Sequence, residues 1–301
     1  MDNYKKILQS RKLRILILRM LSWIPDKIML KLQYRIKLKR KLNLKNPQRF
    51  TEKIQLYKLK YRNEVMHQCV DKYEVRKYVE NKGHKDILNK LIGLYSKVED
   101  IDFESLPSKF VIKTTNGGGG NNIIICKDKT KLNIKNTKHQ LKEWLKIKTK
   151  KSLGREWAYE TNCNKIIIEE LLEGNNENFT GINDYKFFCY KGKVKYIVFD
   201  GDRYKNHKRN FYDNEWNYLN IESDCESFGD IINKPACLNE MKQIAEDLSK
   251  DFPFVRVDLY LIRKKIYFGE LTFYPWSGYV QFTPDDFDYA IGKYFDIWGD
   301  I

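Results

Sequence analysis

Phe110 to Cys126 reads FVIKTTNGGGGNNIIIC. Two short apolar runs, each the length and β-branched texture of a strand, enclose Lys113 and four consecutive glycines, Gly117 to Gly120. In a P-loop a lysine and a Ser or Thr follow the last glycine; here Lys113 precedes the glycines and lies on a strand, which excludes Walker-type binding. A lysine on one strand, a pliable glycine hairpin and a second strand make a flap that closes over a nucleoside triphosphate. Its amide N–H groups meet phosphate oxygens while the lysine meets their charge. A flexible loop tip with an incidental lysine accounts for the same residues equally well.

The chain around this segment changes texture once. Before it, residues 4–24 and 26–42 space Leu, Ile, Met and Tyr three and four apart among lysines, two basic amphipathic helices broken at Pro25. A third helix is predicted from Thr51, as N-cap, to about Arg62, and a fourth from Asp71 to a C-terminal cap at Gly83. From Lys90 onward short β-branched runs take over, with helical patterns near 137–148, 236–249 and 285–298. Hairpin turns at Lys191-Gly192 and Arg263-Lys264-Lys265 favour an antiparallel α+β pair of lobes over a doubly wound parallel sheet.

The 301 residues are 42% hydrophobic and 14% aromatic, enough for a substantial core. No window approaches the roughly eighteen uncharged apolar residues of a spanning helix. "LRILILRMLSWI" carries Arg14 and Arg19 and lacks a small-residue cleavage site, so it is not read as a signal peptide, and a cytoplasmic protein is expected. Six widely spaced cysteines without CxxC or HxxxH pairing read as reduced thiols. The net charge of +16 is concentrated: residues 1–46 hold fourteen Lys and Arg against Asp2 and Asp26, a net +12. No zinc-finger or RNA-recognition signature accompanies the charge, so a nucleic-acid role would rest on charge alone.

Further constellations lie downstream of the glycines. "KIIIEELLEG" puts Glu169 and Glu170 at the end of an apolar strand, where a chain passing between lobes can offer its backbone to a base edge; a surface acidic pair is the plainer reading. In "FVRVDLYLIRKKIYFGELTF", Arg256 and Asp258 project from one face of a strand and Glu270 returns on its partner. Two carboxylates so placed can hold Mg²⁺ with phosphate oxygens completing the shell, and a salt bridge from Arg256 to one of them competes with that reading.

A lysine and glycine flap, a Glu-Glu hinge, then a strand Asp and a strand Glu on a hairpin resemble, in that order, the ATP-grasp fold, and more narrowly the TupA-like ATP-grasp family named for teichuronopeptide biosynthesis. The resemblance runs through "NPQRFTEKIQ", "DKYEVRKYV", "LPSKFVIKTTNGGGG", "IIIEELL", "DYKFFCYKGKV", "VRVDLY" and "FGELTFYPWSGY", spanning about residues 40–299. It implies two α+β lobes gripping ATP, with 1–46 as a basic helical extension and 47–301 as the catalytic region: 47–90 helical, 91–168 including the flap lobe, 169–301 the metal-binding lobe. It also implies that Lys113 sits on the α/β-phosphates beneath a flap of Asn116, Gly117, Gly118, Gly119 and Gly120. Glu169, Glu170 and Leu172 would frame adenine, Lys186 would be a second basic contact, and Asp258 and Glu270 would bind Mg²⁺. Arg256 would stabilise the transferred phosphoryl group. Leu271-Thr272 follows Glu270 where relatives carry x-Asn, so Thr272 would be a weak or water-mediated ligand.

The implied chemistry is carboxylate activation by ATP to an acyl-phosphate, followed by attack of an amine to give an amide, on a sugar acid or amino acid in cell-surface polysaccharide assembly. Asp202, Arg203, His207 and Arg209 form a charged loop that could receive an anionic sugar, or simply a solvated one. A glycosyltransferase or sugar kinase is the rival enzyme, with "DGD" at Asp200 to Asp202 as the sole DxD-type candidate. A module binding anionic membrane or nucleic acid would use the basic extension alone. Residues 4–42 suit a helix lying on anionic lipid at the inner face of the membrane, or one packed by its apolar face on the catalytic lobes.

Overall fold

A computed structural model describes residues 11–116, 122–147, 151–160, 163–174, 181–202 and 206–297. Helices α1 (Arg11–Met20) and α2 (Asp26–Leu38) are separated at Pro25, whose fixed φ suits the entry to α2. One face of α2 buries Met29, Leu30, Tyr34 and Leu38, with Leu42 and Tyr279 in the same cluster. The inner face of the basic segment is thus part of the folded body. Three helices follow, α3 (Phe50–Lys60), α4 (Val65–Val70) and α5 (Glu74–Asn81).

Thr51, expected as an N-cap, lies inside α3. Its hydroxyl donates to Asp288 over 2.7 Å and meets Tyr34 at 2.8 Å. The start of α3 is capped instead by Glu52, whose carboxylate accepts from the amide of the N-cap residue Arg49 and from those of Gln48 and Asn43 in the preceding loop, while the Thr51 amide donates to Asp288. Asp71 behaves as expected: its Oδ1 accepts from the amides of Tyr73 and Glu74.

The first sheet contains β1 (Leu91–Tyr95), β2 (Phe110–Thr114), β3 (Ile123–Cys126) and β4 (Ile166–Glu170) in the order β1-β4-β2-β3, with every pair antiparallel. Strand alternation divides its faces. Phe110, Ile112, Ile166 and Ile168 pack with Leu141 of α6 (Ile134–Leu145), so Lys113 and Glu169 project from the other side.

The second sheet runs β10 (Lys265–Thr272), β9 (Phe254–Ile262), β5 (Asp184–Tyr190), β6 (Lys193–Gly201), β7 (Lys208–Asp213), β8 (Tyr218–Leu219), again antiparallel throughout. Helix α7 (Leu238–Ser249) covers one face through Met241, Ala245 and Leu248. The expected hairpin turns are present, with positive φ at Lys191 and Gly192 and at Arg263 and Lys264, which matches the twist of the flanking strands. Residues 208–213, expected as part of a charged loop, form β7 instead, because Arg209 and Asn210 find buried polar partners. Helix α8 (Phe287–Lys293) packs on α3. Among the described residues no helix is long and apolar enough to cross a membrane.

Candidate functional site

The charged groups of the second sheet share the face opposite α7. Antiparallel register sets Asp258 opposite Lys186 and opposite Glu270, and sets Arg256 opposite Thr272; opposed residues project to the same side. Glu270 reaches that register only through a bulge at Gly269, where an added Cβ would stand 2.8 Å from the Asp258 carbonyl oxygen. Glycine is therefore required for the strand to offset by one residue here.

The Arg256 guanidinium ties these groups together. Its Nε donates to Asp258 Oδ1 at 2.6 Å, and its Nη2 donates to Asp258 Oδ2 at 2.7 Å, to Glu270 Oε1 at 3.2 Å and to Thr272 Oγ1 at 3.1 Å. Lys186 Nζ lies 2.9 Å from Asp258, 3.1 Å from Asp184 and 3.7 Å from Asp200. Burial alone would push the Asp258 carboxyl up, but Arg256 and Lys186 outweigh it and hold it below the ordinary carboxylate range. Burial likewise opposes the charge on Lys186, and Asp184 and Asp258 overcome it and raise its pKa.

The polar stripe continues across the sheet to Arg209. Its Nε and Nη2 meet Asp200 at 2.6 and 3.0 Å, and its Nη1 closes on Asp224. His207 Nε2 lies 3.4 Å from Asp200. The guanidinium also stands 5.2 Å from the Trp276 ring, which stacks on Phe188. Arg209 is thus a committed partner of Asp200 rather than a member of a solvated loop, and His207 stands beside the pair. Asp202, half-buried, follows the end of β6 with φ at +52°, while Arg203 lies outside the described residues.

On the first sheet, Glu169 Oε2 accepts from Lys113 Nζ at 2.8 Å and Oε1 from Arg76 at 3.1 Å. Glu170 is exposed, with its carbonyl accepting from Asn89, and Leu172 is half-buried beyond the strand end. Asn116 lies in the turn beyond the end of β2, and Gly117 to Gly120 lie outside the described residues.

Lys72 links the two sheets. It follows α4, which packs against β10, and its amide donates to the Thr115 carbonyl at the end of β2. Burial pushes its ammonium pKa down, while Glu270 of the second sheet and Glu169 of the first pull it back up. Lys72 belongs to "DKYEVRKYV", a segment that carries the resemblance and opens a helix, but nothing in its spacing marks the lysine itself. Asp184 gives no signal either, because an acidic residue at the start of an apolar strand has no spacing to announce it, and Asp200, legible only as part of the DGD candidate, is here the partner of Arg209 and Lys186.

The loop bordering this face is held from behind. Trp276, Ser277 and Gly278 all have positive φ, at 50°, 56° and 65°. The buried Lys58 ammonium donates to the carbonyls of Gly154 and Ser277, both at 2.9 Å, and to Ser277 Oγ at 3.0 Å, and Ser277 in turn donates to Glu156. Burial pushes the Lys58 pKa down to about 8 against the pull of Glu156.

The TupA-like ATPgrasp family model matches residues 52–296, an interval that contains both sheets and every charged group just described. The chain belongs to the TupA-like ATP-grasp family. Its fold is ATP-grasp, with a helical N-terminal region. A comparison with curated proteins gives no match. Solved structures similar to it include D-alanine–D-alanine ligase from Bacillus anthracis, at 21% identity and a TM-score of 0.40, covering 68% of this chain and 56% of that one. D-Alanine–D-alanine ligase from Helicobacter pylori is 13% identical, with a TM-score of 0.42 and coverages of 77% and 60%. L-Amino acid ligase from Bacillus licheniformis is 14% identical, with a TM-score of 0.39 and coverages of 70% and 42%. The chain thus spans about half the length of these ligases, and the family assignment rests on the family match.

Proposed function

We propose that this member of the ATP-grasp family is an ATP-dependent carboxylate–amine ligase that forms an amide through an acyl-phosphate. The observation carrying this reading is the convergence of Lys113, Lys72 and Arg76 from the helical and flap side with Lys186 and Arg256 from the second sheet, around the carboxylates of Glu169, Asp258 and Glu270. Such a site can turn its cations from internal carboxylates to triphosphate oxygens, leaving those carboxylates to a bound cation. On this reading Lys113 and Lys186 bind phosphate oxygens, the Asn116 to Gly120 flap covers them, and Glu169, Glu170 and Leu172 edge the adenine.

Among the described residues no group of three or more His, Cys, Asp or Glu clusters in a way that could hold a metal by itself. Asp258 and Glu270, with the Thr272 hydroxyl beside them, are two hard carboxylate donors in direct register. That set suits Mg²⁺ whose remaining donors are phosphate oxygens. When bound, the ion would neutralise charge on the transferring phosphoryl group. Arg256, on the same face, is the residue we assign to the developing acyl-phosphate. The arrangement supplies positioning and charge, and no cysteine or serine is given a covalent role.

The acceptor we assign is a sugar acid or amino acid of cell-surface polysaccharide assembly, lying toward Asp202, Arg203, His207 and Arg209. An anionic membrane face is assigned as a partner of the basic segment and is argued below. The test is ADP release by the purified chain with ATP and Mg²⁺ against a panel of carboxylates and amines. ADP dependent on both co-substrates is expected, and Lys113→Ala and Asp258→Asn should each lower turnover at least a hundredfold while the melting curve shows a folded protein. Phosphate transfer to a sugar hydroxyl, or wild-type ATP affinity in both variants, would overturn the reading.

A further inference from the structure

Helix α2 is apolar on two opposite sides. Its inner side, Met29, Leu30, Tyr34 and Leu38, is buried. Ile28, Leu32 and Ile36, spaced four apart and therefore aligned along one ridge, remain 58%, 45% and 40% exposed. Helix α1 adds Leu13, Leu16 and Met20, and the turn between the helices adds Trp23, the most exposed large apolar side chain of the described chain at 77%. Lys27, Lys31, Arg35 and Lys39 are exposed alongside the α2 ridge. Asp26 is the only acidic residue from Arg11 to Arg40, against ten Lys and Arg. That one carboxylate is engaged by Lys151 and Arg155.

We infer that the outward faces of α1 and α2 form an in-plane docking surface for an anionic lipid bilayer. The apolar ridge enters the acyl boundary while the flanking cations meet lipid phosphates, the combination that distinguishes an interfacial helix from a spanning or a core one. A nucleic-acid backbone would use the cations but leave seven large apolar side chains in water. A second copy of the chain would cover the apolar residues but oppose two like-charged faces, so charge complementarity selects the lipid.

The docking surface is fastened to the loop that borders the charged site. Tyr279 donates to Gln33 Oε1 at 2.7 Å, Gln33 donates to the Leu153 carbonyl at 3.0 Å, and Lys37 lies over the Tyr279 ring at 4.0 Å. Arg155 donates to the carbonyls of Leu21 and Ser22, both at 3.0 Å, pinning the α1–α2 turn. One helix diameter, about 10 Å, therefore separates a docked bilayer from the Trp276–Tyr279 segment.

The experiment is flotation of the full chain with phosphatidylcholine vesicles, with and without phosphatidylglycerol, at low and high salt, with tryptophan emission recorded on the same samples. Binding to the anionic vesicles, with a blue shift that a Trp23→Phe variant abolishes, is expected. Each Lys or Arg at an anionic surface contributes about fivefold to partitioning, so Lys27→Gln/Lys31→Gln/Arg35→Gln should weaken binding on the order of a hundredfold. Ile28→Ser/Leu32→Ser/Ile36→Ser should weaken it at least tenfold with an unchanged melting curve, since these side chains are outside the core. Failure of the full chain to float with anionic vesicles overturns the inference, as does undiminished binding by either triple variant. A dimer in sedimentation that the serine variant converts to monomer, without vesicle binding, would assign the face to self-association. None of these outcomes depends on ATP turnover, so the ligase reading stands or falls separately.

Discussion

Lys186→Met removes one cation from the most crowded buried charge cluster in the second sheet. Lys186 is 5% exposed, and Asp184 and Asp258, its nearest carboxylates, are 1% and 2% exposed. Arg256 still engages both oxygens of Asp258 in the variant, and Arg209 still engages Asp200, so the pairing most affected is the 3.1 Å contact from Lys186 to Asp184. Breaking a buried pair by removing one partner costs about 3–5 kcal/mol, whereas methionine restores most of the lost packing. At about 2 °C per kcal/mol for a chain of this size, the melting temperature at pH 7 without nucleotide should fall by roughly 6–10 °C. Adding Asp184→Asn should recover at least about 2 kcal/mol, a coupling a double-mutant cycle reads directly. The pH dependence of stability supplies a second measurement. The folded Asp258 pKa is depressed, so its contribution is present above the unfolded value near 4 and is lost as pH falls through the folded one. The gap between Lys186→Met and wild type should therefore narrow in acid. A melting temperature within 2 °C of wild type at pH 7, or a gap that widens in acid, would show that the cluster is hydrated and that the argument from burial is wrong.

Three further substitutions test other parts of the molecule. In Gly278→Ala the new Cβ would stand 2.4 Å from Gln55 Nε2 and 2.6 Å from Ile54 Cγ2 at a φ of +65°; a loss of about 2–4 kcal/mol is expected in urea unfolding, and a loss under 0.5 kcal/mol would contradict the packing. Lys58, with a folded pKa of about 8, binds fewer protons than the unfolded chain between about pH 8 and 10.4. Wild-type stability should consequently rise relative to Lys58→Met by roughly 2 kcal/mol between pH 7 and 9.5, and a constant difference across that range would refute the lowering of its pKa by burial. Arg155→Met deletes both bonds to the α1–α2 turn; trypsin cleavage at Arg19 or Lys27 should accelerate about tenfold, by roughly 1.5 kcal/mol of lost hydrogen bonding, and an unchanged rate would mean that the turn is held elsewhere.

Much of the fold is legible in the chain because its strands are bounded by strong local signals. The alternation in "FVIKT" and "IIIEE" sends Phe110, Ile112, Ile166 and Ile168 to one side and Lys113 and Glu169 to the other, and the structure keeps that division. Lys191-Gly192 and Arg263-Lys264 announce their hairpins through residues placed in tight turns. What escapes is what depends on distant partners. Strand β7 looks like a loop until Asp200 and Asp224 neutralise Arg209. Thr51 looks like a cap until Asp288, 237 residues away, claims its hydroxyl. The Arg256–Asp258 pair was legible as an i, i+2 spacing, but the third member of the cluster, Lys186, meets Asp258 only through sheet register.

The bonds from Thr51 to Asp288 also impose an order on biosynthesis. The amide and hydroxyl of Thr51 both donate to Asp288, Arg49 pairs with Asp285, and Lys53 donates to the Gly292 carbonyl. At a translation rate of about 5–20 residues per second, these partners leave the ribosome on the order of tens of seconds after α3 does. Throughout that interval Phe50, Ile54 and Tyr57, all fully buried in the finished protein, lack partners that are made later, among them Phe295 against Phe50 and Tyr57 and Gly278 against Ile54. The nascent chain therefore carries an uncovered apolar ridge on α3 until α8 is made, and a holdase that shields this ridge during synthesis should raise the yield of soluble protein more than one acting after it.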